Sequence, residues 1–149
     1  MVTTASVPTD LLPHLRRVHD RLDLAYAESH DLDALAKQAA TSKYHFVRCF
    51  AAAYGETPMR YLTRRRIERA QDLLRATNLT VTEICQLVGY ASLGTFSTRF
   101  RELVGMSPTQ YQREQDHGGA HRIPGCVVFM LGMQRISAIS EKSERPVGT

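Results

Sequence analysis

Lys43, Tyr44, Val47, Arg48 and Ala51 share one face of a helical repeat in the run SKYHFVRCFA, and Leu93, Gly94, Ser97, Thr98 and Arg101 do so in SLGTFSTRFR, fifty positions on. Residues of these types suit directional, non-covalent recognition. An Arg fork gives two parallel N–H bonds to a planar pair of acceptors, a hydroxyl both gives and takes, and an apolar group covers a methyl. Covalent chemistry has no comparable footing. The chain shows no nucleophile–base pair, carboxylate pair, phosphate-cradling glycine loop or zinc cluster. His117 and His121 are interrupted by Gly118–Gly119, and His14 and His19 stand five apart; neither pair has the third ligand a metal needs. No catalytic residue, metal or cofactor is therefore expected, and the chain is not expected to be an enzyme.

The elements that must position these faces are written twice. Ser42/Ser92, Phe46/Phe96, Phe50/Phe100, Gly55/Gly105, Pro58/Pro108 and Tyr61/Tyr111 recur in the same order at the same intervals. Each Phe pair at i and i+4 lies on one helical face and fills a core. The glycines suit left-handed helix ends and the prolines suit first helical positions. A short helix precedes each copy. Leu32, Leu35, Ala36 and Ala39 follow a cap at Asp31, and Val81, Ile84, Cys85 and Val88 repeat them at an offset of 49. Gly89–Tyr90–Ala91 is one residue longer than Ala40–Thr41, so the offset becomes 50. A short helix, a tight turn and a longer helix with one apolar face form the helix-turn-helix pattern. Pro58 to about Ala76, with Met59, Leu62, Ile67, Ala70, Leu73 and Leu74 on its core side, joins the two copies.

The flanks differ. Leu11, Leu15, Val18, Leu22 and Ala25, with Tyr26, put an apolar stripe on a supporting helix over about 9–29, with Thr9 or Asp10 as its cap and Pro13 in its first turn. On the far side HGGAHRIPG is rich in turn formers, and the run CVVFMLGM suits a strand or a docked segment. The expected organisation is a supporting helix in 1–30, a first helix-turn-helix in 31–57, a linker helix in 58–78, a second helix-turn-helix with a closing helix in 79–115, and an extension in 116–149. The fold class is all-α, with about seven helices and two homeodomain-like subdomains; β character is confined to the extension, if present at all.

With 149 residues, 43% of them hydrophobic and 23% charged, the chain can build a core, and its net charge of +4 mildly favours polyanionic partners. Cys49, Cys85 and Cys126 are odd in number and outside any C-x-x-C spacing, so buried thiols are expected rather than disulfides or zinc. MVTTASVPTD has no basic and apolar leader, and no apolar run approaches the length that spans a bilayer; the expected setting is the cytoplasm, away from membranes.

In a helix-turn-helix the outer face of the second helix enters the major groove, where Arg, hydroxyl and apolar side chains read base edges. Equal frames with different outer faces then read different bases. The joining helix of 19 residues is about 28 Å long, and successive major-groove faces lie about 34 Å apart, so one chain can reach both with the DNA bent toward it. Basic residues favour the first half. Lys43, Arg48, Arg60, Arg64, Arg65, Arg66 and Arg69 oppose Glu56 and Glu68, while Arg99, Arg101 and Arg113 oppose Glu102 and Glu114 in 92–115. The first copy is expected to supply more of the phosphate attraction, and helix starts at Ser42, Thr80 and Ser92 to add N–H contacts.

The segments R-I-x-x-A-x-x-L-L (Arg66 to Leu74), I-x-x-x-V-G-Y-x-S (Ile84 to Ser92), F-x-x-x-F-R (Phe96 to Arg101) and G-M-S-P-x-x-Y (Gly105 to Tyr111) resemble those of the AraC/XylS-type bacterial transcription regulators. The resemblance covers about Leu32 to Arg113. It implies a seven-helix domain with two helix-turn-helix motifs that binds double-stranded promoter DNA and recruits or blocks RNA polymerase. Carried over by position, it implies base reading by Tyr44, Val47 and Arg48, then Gly94, Ser97 and Thr98. Val47 and Gly94 depart from the longer polar residues often found there, and the family's closing Y-R pair appears here as Tyr111–Gln112. The expected phosphate contacts are Ser42, Lys43, Arg64, Arg65, Thr80, Ser92, Thr95 and Arg101. One chain on DNA is favoured, with dimerisation through the extension open; neither flank has the length of the sensor domain many family members carry, so regulation by abundance or partner, a standalone form, or a fragment of a longer protein is expected. A helical protein-interaction module that keeps the fold without specific DNA binding is the alternative.

Overall fold

The computed structural model describes residues 6–116 and Pro124. Among them are seven helices: α1 (Leu12–Leu24), α2 (Leu32–Gln38), α3 (Lys43–Tyr54), α4 (Pro58–Ala76), α5 (Val81–Leu87), α6 (Leu93–Val104) and α7 (Pro108–Asp116). The all-α reading of the repeated region holds. The apolar run CVVFMLGM, Cys126, the His117/His121 pair and the dimerisation surface expected in the extension lie outside the described residues.

The helices begin where short polar side chains satisfy orphan N–H groups. Asp31 accepts from Ala34 N, Ser42 from His45 N, Thr57 from Arg60 N, Thr80 from Glu83 N and Ser92 from Thr95 N. Thr80 and Glu83 complete a reciprocal capping box. At the other ends of α3 and α6, Gly55 (φ 79°) and Gly105 (φ 89°) take the left-handed conformation. α1 departs from expectation. Leu11, not Thr9 or Asp10, stands at its N-cap with no side-chain cap bond. A turn with Leu11 N donating to Pro8 O (3.0 Å) feeds the helix, and burial of Leu11 holds that turn in place. On α3, the spacing suggests Ala53 as the next inward residue, yet Ala53 is exposed. Tyr54, at i+4 from Phe50, continues the face with its ring 4.8 Å from that of Phe50.

Two cores form, and α4 serves both. Leu15, Val18 and Leu22 of α1, Leu35 of α2, and Phe46 and Phe50 of α3 close on Tyr61 and Leu62 of α4. One helical stretch later, Ile67, Ala70 and Leu74 of α4 meet Ile84, Cys85, Val88, Phe96 and Phe100. Cys49 and Cys85 are buried free thiols. Tyr111 of α7 packs edge-on against Phe100 (5.6 Å), and Gln112 Nε2 donates to Leu79 O (2.8 Å), which closes the second unit. α1 plays the corresponding closing part in the first. The remainder of each unit is the same short helix, turn and longer helix.

Candidate nucleic-acid interface

With Phe46 and Phe50 fully buried, the opposite face of α3 is turned away from the first core and is largely exposed among the described residues. Tyr44 is 73% exposed there, and Arg48 is also exposed, its guanidinium 5.5 Å from the centre of the Tyr44 ring. A cation over an aromatic face is held loosely in place while its N–H edge stays open. Lys43 Nζ donates to Asp33 Oδ2 (3.1 Å), an exposed pair of little energetic weight. Val47 is half-buried and packs against the first core, so its outward reach is limited to one flank of the isopropyl group.

The second face is poorer in donors. Leu93 and Gly94 are exposed, Ser97 is half-buried, and the Thr98 hydroxyl donates to Gly94 O (3.0 Å) inside its own helix. Thr98 thus keeps acceptor lone pairs but not its donor. Arg101 is exposed with no ion pair or hydrogen bond of its side chain among the described residues. Among the described residues, a Cβ built on Gly94 meets only Ser92 Oγ at 3.7 Å, so they leave the space above it open.

The helix starts divide into two kinds. At Ser42 and Ser92 the side chain takes one N–H, from His45 and Thr95 respectively (3.3 Å each), so the earlier N–H groups of α3 and α6 are the ones left to an outside anion. At Thr80 the Glu83 carboxylate accepts both the backbone N–H (2.8 Å) and the hydroxyl (3.1 Å), which sets a negative charge where a phosphate would come.

The arginine run on α4 is turned toward the chain itself. Arg64 donates to Glu56 Oε1 through Nε (2.9 Å) and a terminal nitrogen (2.7 Å), and to Glu68 Oε1 (2.6 Å). Those bonds to Glu56, opposed by burial and helped by Glu68, raise its pKa. Arg65 pairs with Asp23 and with Glu68 Oε2 (3.0 Å); burial pulls its pKa down, and the two carboxylates more than reverse that. Asp23 also accepts from Tyr61 (3.0 Å), whose pKa is pushed up to about 12 by burial and then by that carboxylate. Arg60, exposed in the first turn of α4, has no such partner among the described residues. The sequence pattern counts Arg60 among the basic residues but does not single it out. What separates it from Arg64 is only the placement of Glu56 and Glu68.

A model for a helix-turn-helix domain matches residues 35–114. The MmsAB operon regulatory protein of Pseudomonas aeruginosa is 36% identical over 121 residues, covering 73% of this chain and 39% of that protein. An AraC-like transcription regulator of Streptomyces lividans is 39% identical over 87 residues, 58% of this chain and 29% of its own length. The chain therefore spans well under half the length of these curated relatives. Among solved structures, the DNA-binding domain of AdpA in complex with a target DNA superposes with a TM-score of 0.65 at 29% identity, over 68% of this chain and 91% of that one. The C-terminal domain of AraT, a response regulator from Geobacillus stearothermophilus, gives the same TM-score and identity over 74% of this chain and 88% of that one. Two capped helix-turn-helix units on one shared helix, matched in sequence and in fold, place this chain in the AraC-type helix-turn-helix family of transcription regulators.

Proposed function

We propose that the chain is a sequence-specific DNA-binding transcription regulator that lays α3 and α6 in successive major grooves of one double-stranded promoter. The observation that carries this is the pair of outer faces. On two helices with equivalent buried frames, Tyr44, Arg48, Leu93, Gly94 and Thr98 are exposed and have no part in either core. The first face supplies most of the base discrimination, through Arg48 and Tyr44, with Val47 offering a methyl contact. The second reads mainly through Leu93, the acceptor side of Thr98, and Ser97. Phosphate contacts fall to the free N–H groups after Ser42 and Ser92, to Lys43, Thr95 and Arg101, and to Arg60. Arg64, Arg65 and Thr80 face carboxylates of this chain and contribute to the shape of the protein more than to phosphate binding. RNA polymerase is the protein partner that fits this role, in the cytoplasm, with a single chain as the DNA-bound unit.

Selection from random duplexes by the purified chain, followed by titration of the selected duplex at rising salt, tests the assignment. A DNA binder loses affinity steeply between about 50 and 200 mM salt, because each neutralised phosphate releases counterions. Flat or absent binding on every duplex would favour a protein-interaction module. Circular-permutation mobility shifts are expected to show a bend, since α4, at 19 residues, is about 28 Å long against a groove spacing of about 34 Å.

Arg48→Ala is expected to weaken binding to the selected duplex by about 1–3 kcal/mol and to relax preference at one base position. Competition with single-base variants of that duplex is the measurement. Equal loss on every sequence would reassign Arg48 to a phosphate.

A further inference from the structure

The loop between α1 and α2 touches both halves of the molecule. The Tyr26 ring packs against the first core and the second alike. Arg66, in the middle of α4, donates from Nε to Tyr26 O (2.7 Å) and from a terminal nitrogen to Glu28 O (2.8 Å). The same guanidinium lies 5.5 Å from the centre of the Tyr90 ring, in the turn of the second helix-turn-helix. Arg69 adds a second cation over Tyr26 (5.8 Å). Beside Tyr90, the α-carbon of Gly89 closes on the backbone of Ala27, so near that a Cβ there would stand 2.5 Å from Ala27 O. One loop, one arginine and one glycine thus join α4 to the turn of the second unit. Tyr26 to Glu28 lie outside the matched stretch 35–114.

Resting on the DNA-binding assignment, we propose that Arg66 is a positioning residue that fixes the distance and angle between the two recognition helices, so that the protein accepts only one spacing of half-sites. A lone helix such as α4 bends and twists under load, and the two cores meet along it without merging. A planar fork bonded to two backbone carbonyls and set over a ring removes that freedom, because neither acceptor can rotate away as a side chain can. Arg66 pairs with these carbonyls rather than with a carboxylate. Burial lowers its pKa, opposed by Tyr90, and the guanidinium stays charged across the working range of pH. Lysine cannot reproduce this fork of two bonds held over the Tyr90 ring from one ammonium.

The test compares native chain with Arg66→Gln and the charge-conserving Arg66→Lys, using whichever variant melts in one cooperative transition. Binding is measured on the selected duplex, on duplexes with one base pair added or removed between half-sites, and on a duplex bearing the first half-site alone. The native chain is expected to lose about tenfold or more when the spacing changes and the variant less than about threefold, with half-site affinity equal within about twofold. Spin labels on non-natural side chains at the exposed positions Ala52 and Thr109 report the distance between the units without DNA. A broadened distance distribution in the variant is expected. A folded variant that keeps the native preference for one spacing overturns the proposal. If the native chain selects no duplex, the DNA-binding assignment itself fails; an unchanged label distribution then overturns the strut, and a broadened one retains it as a device that orients the two units.

Discussion

Gly89→Ala is expected to lower the midpoint of thermal unfolding by roughly 10 °C, more than Gly55→Ala or Gly105→Ala. All three glycines have left-handed backbones, at φ 92°, 79° and 89°, and an L-residue there costs about 1–2 kcal/mol. The surroundings set them apart. Among the described residues nothing lies within 4 Å of a Cβ at Gly55 or Gly105, whereas at Gly89 the first atoms met are the carbonyl oxygen and carbon of Ala27, at 2.5 and 2.9 Å. Those atoms are backbone, flanked by the two carbonyls that Arg66 holds, so they cannot yield as a side-chain tip can. Displacing them adds about 1–3 kcal/mol of overpacking. Circular dichroism melts of the three variants decide the matter, and equal midpoints would mean that the contact with Ala27 contributes nothing. The first helix-turn-helix supplies a control. Its turn bears Ala40 at φ 56°, and Ala40→Gly is expected to change stability by less than about 1 kcal/mol, relief of strain offsetting added freedom in the unfolded chain.

Phe96→Ala is expected to cost about 3–5 kcal/mol, as is usual when a fully buried aromatic ring is deleted and the hole only partly collapses. Phe96 stands between Tyr90 (5.5 Å) and Phe100 (5.8 Å), so its loss unseats both neighbours. The two cores are separate clusters, and the damage should therefore be uneven. Amide hydrogen exchange is expected to quicken across α5, α6 and α7 while α2 and α3 stay protected, with α4 divided near Ile67. Phe46→Ala should produce the mirror pattern. Uniform acceleration in either variant would show that the halves open as one unit.

Much of this was legible from periodicity alone. The Phe pairs, the helix-ending glycines and helix-starting prolines, and the caps at Asp31, Ser42, Thr80 and Ser92 stand where spacing puts them, because each depends only on residues within one or two helical turns. The exposed faces of α3 and α6 follow from the same geometry. What spacing does not carry is contact across the chain. In sequence the run Arg64–Arg65–Arg66 counts toward phosphate attraction, and nothing local places Glu56, Asp23 and the carbonyls of Tyr26 and Glu28 beside it. The Arg66 contacts lie 40 and 38 residues away in sequence, and no local pattern encodes such a distance. Tyr26 likewise looks like the edge of one amphipathic stripe, although its ring serves two cores. Val47 shows the opposite limit, since a residue one position from a buried phenylalanine sits on the boundary between faces and only packing decides its exposure.

The open space above Gly94 bears on how such a protein can change its target. Gly94 is the second residue of α6, and among the described residues no neighbour demands a glycine there. Almost any side chain can therefore be installed at the mouth of the second recognition helix without disturbing Phe96 beneath it. Substitution at that position is thus nearly free of folding constraint. On the proposed DNA-binding assignment, a new side chain at Gly94 changes what α6 can touch and leaves Tyr44 and Arg48 of α3 as they are.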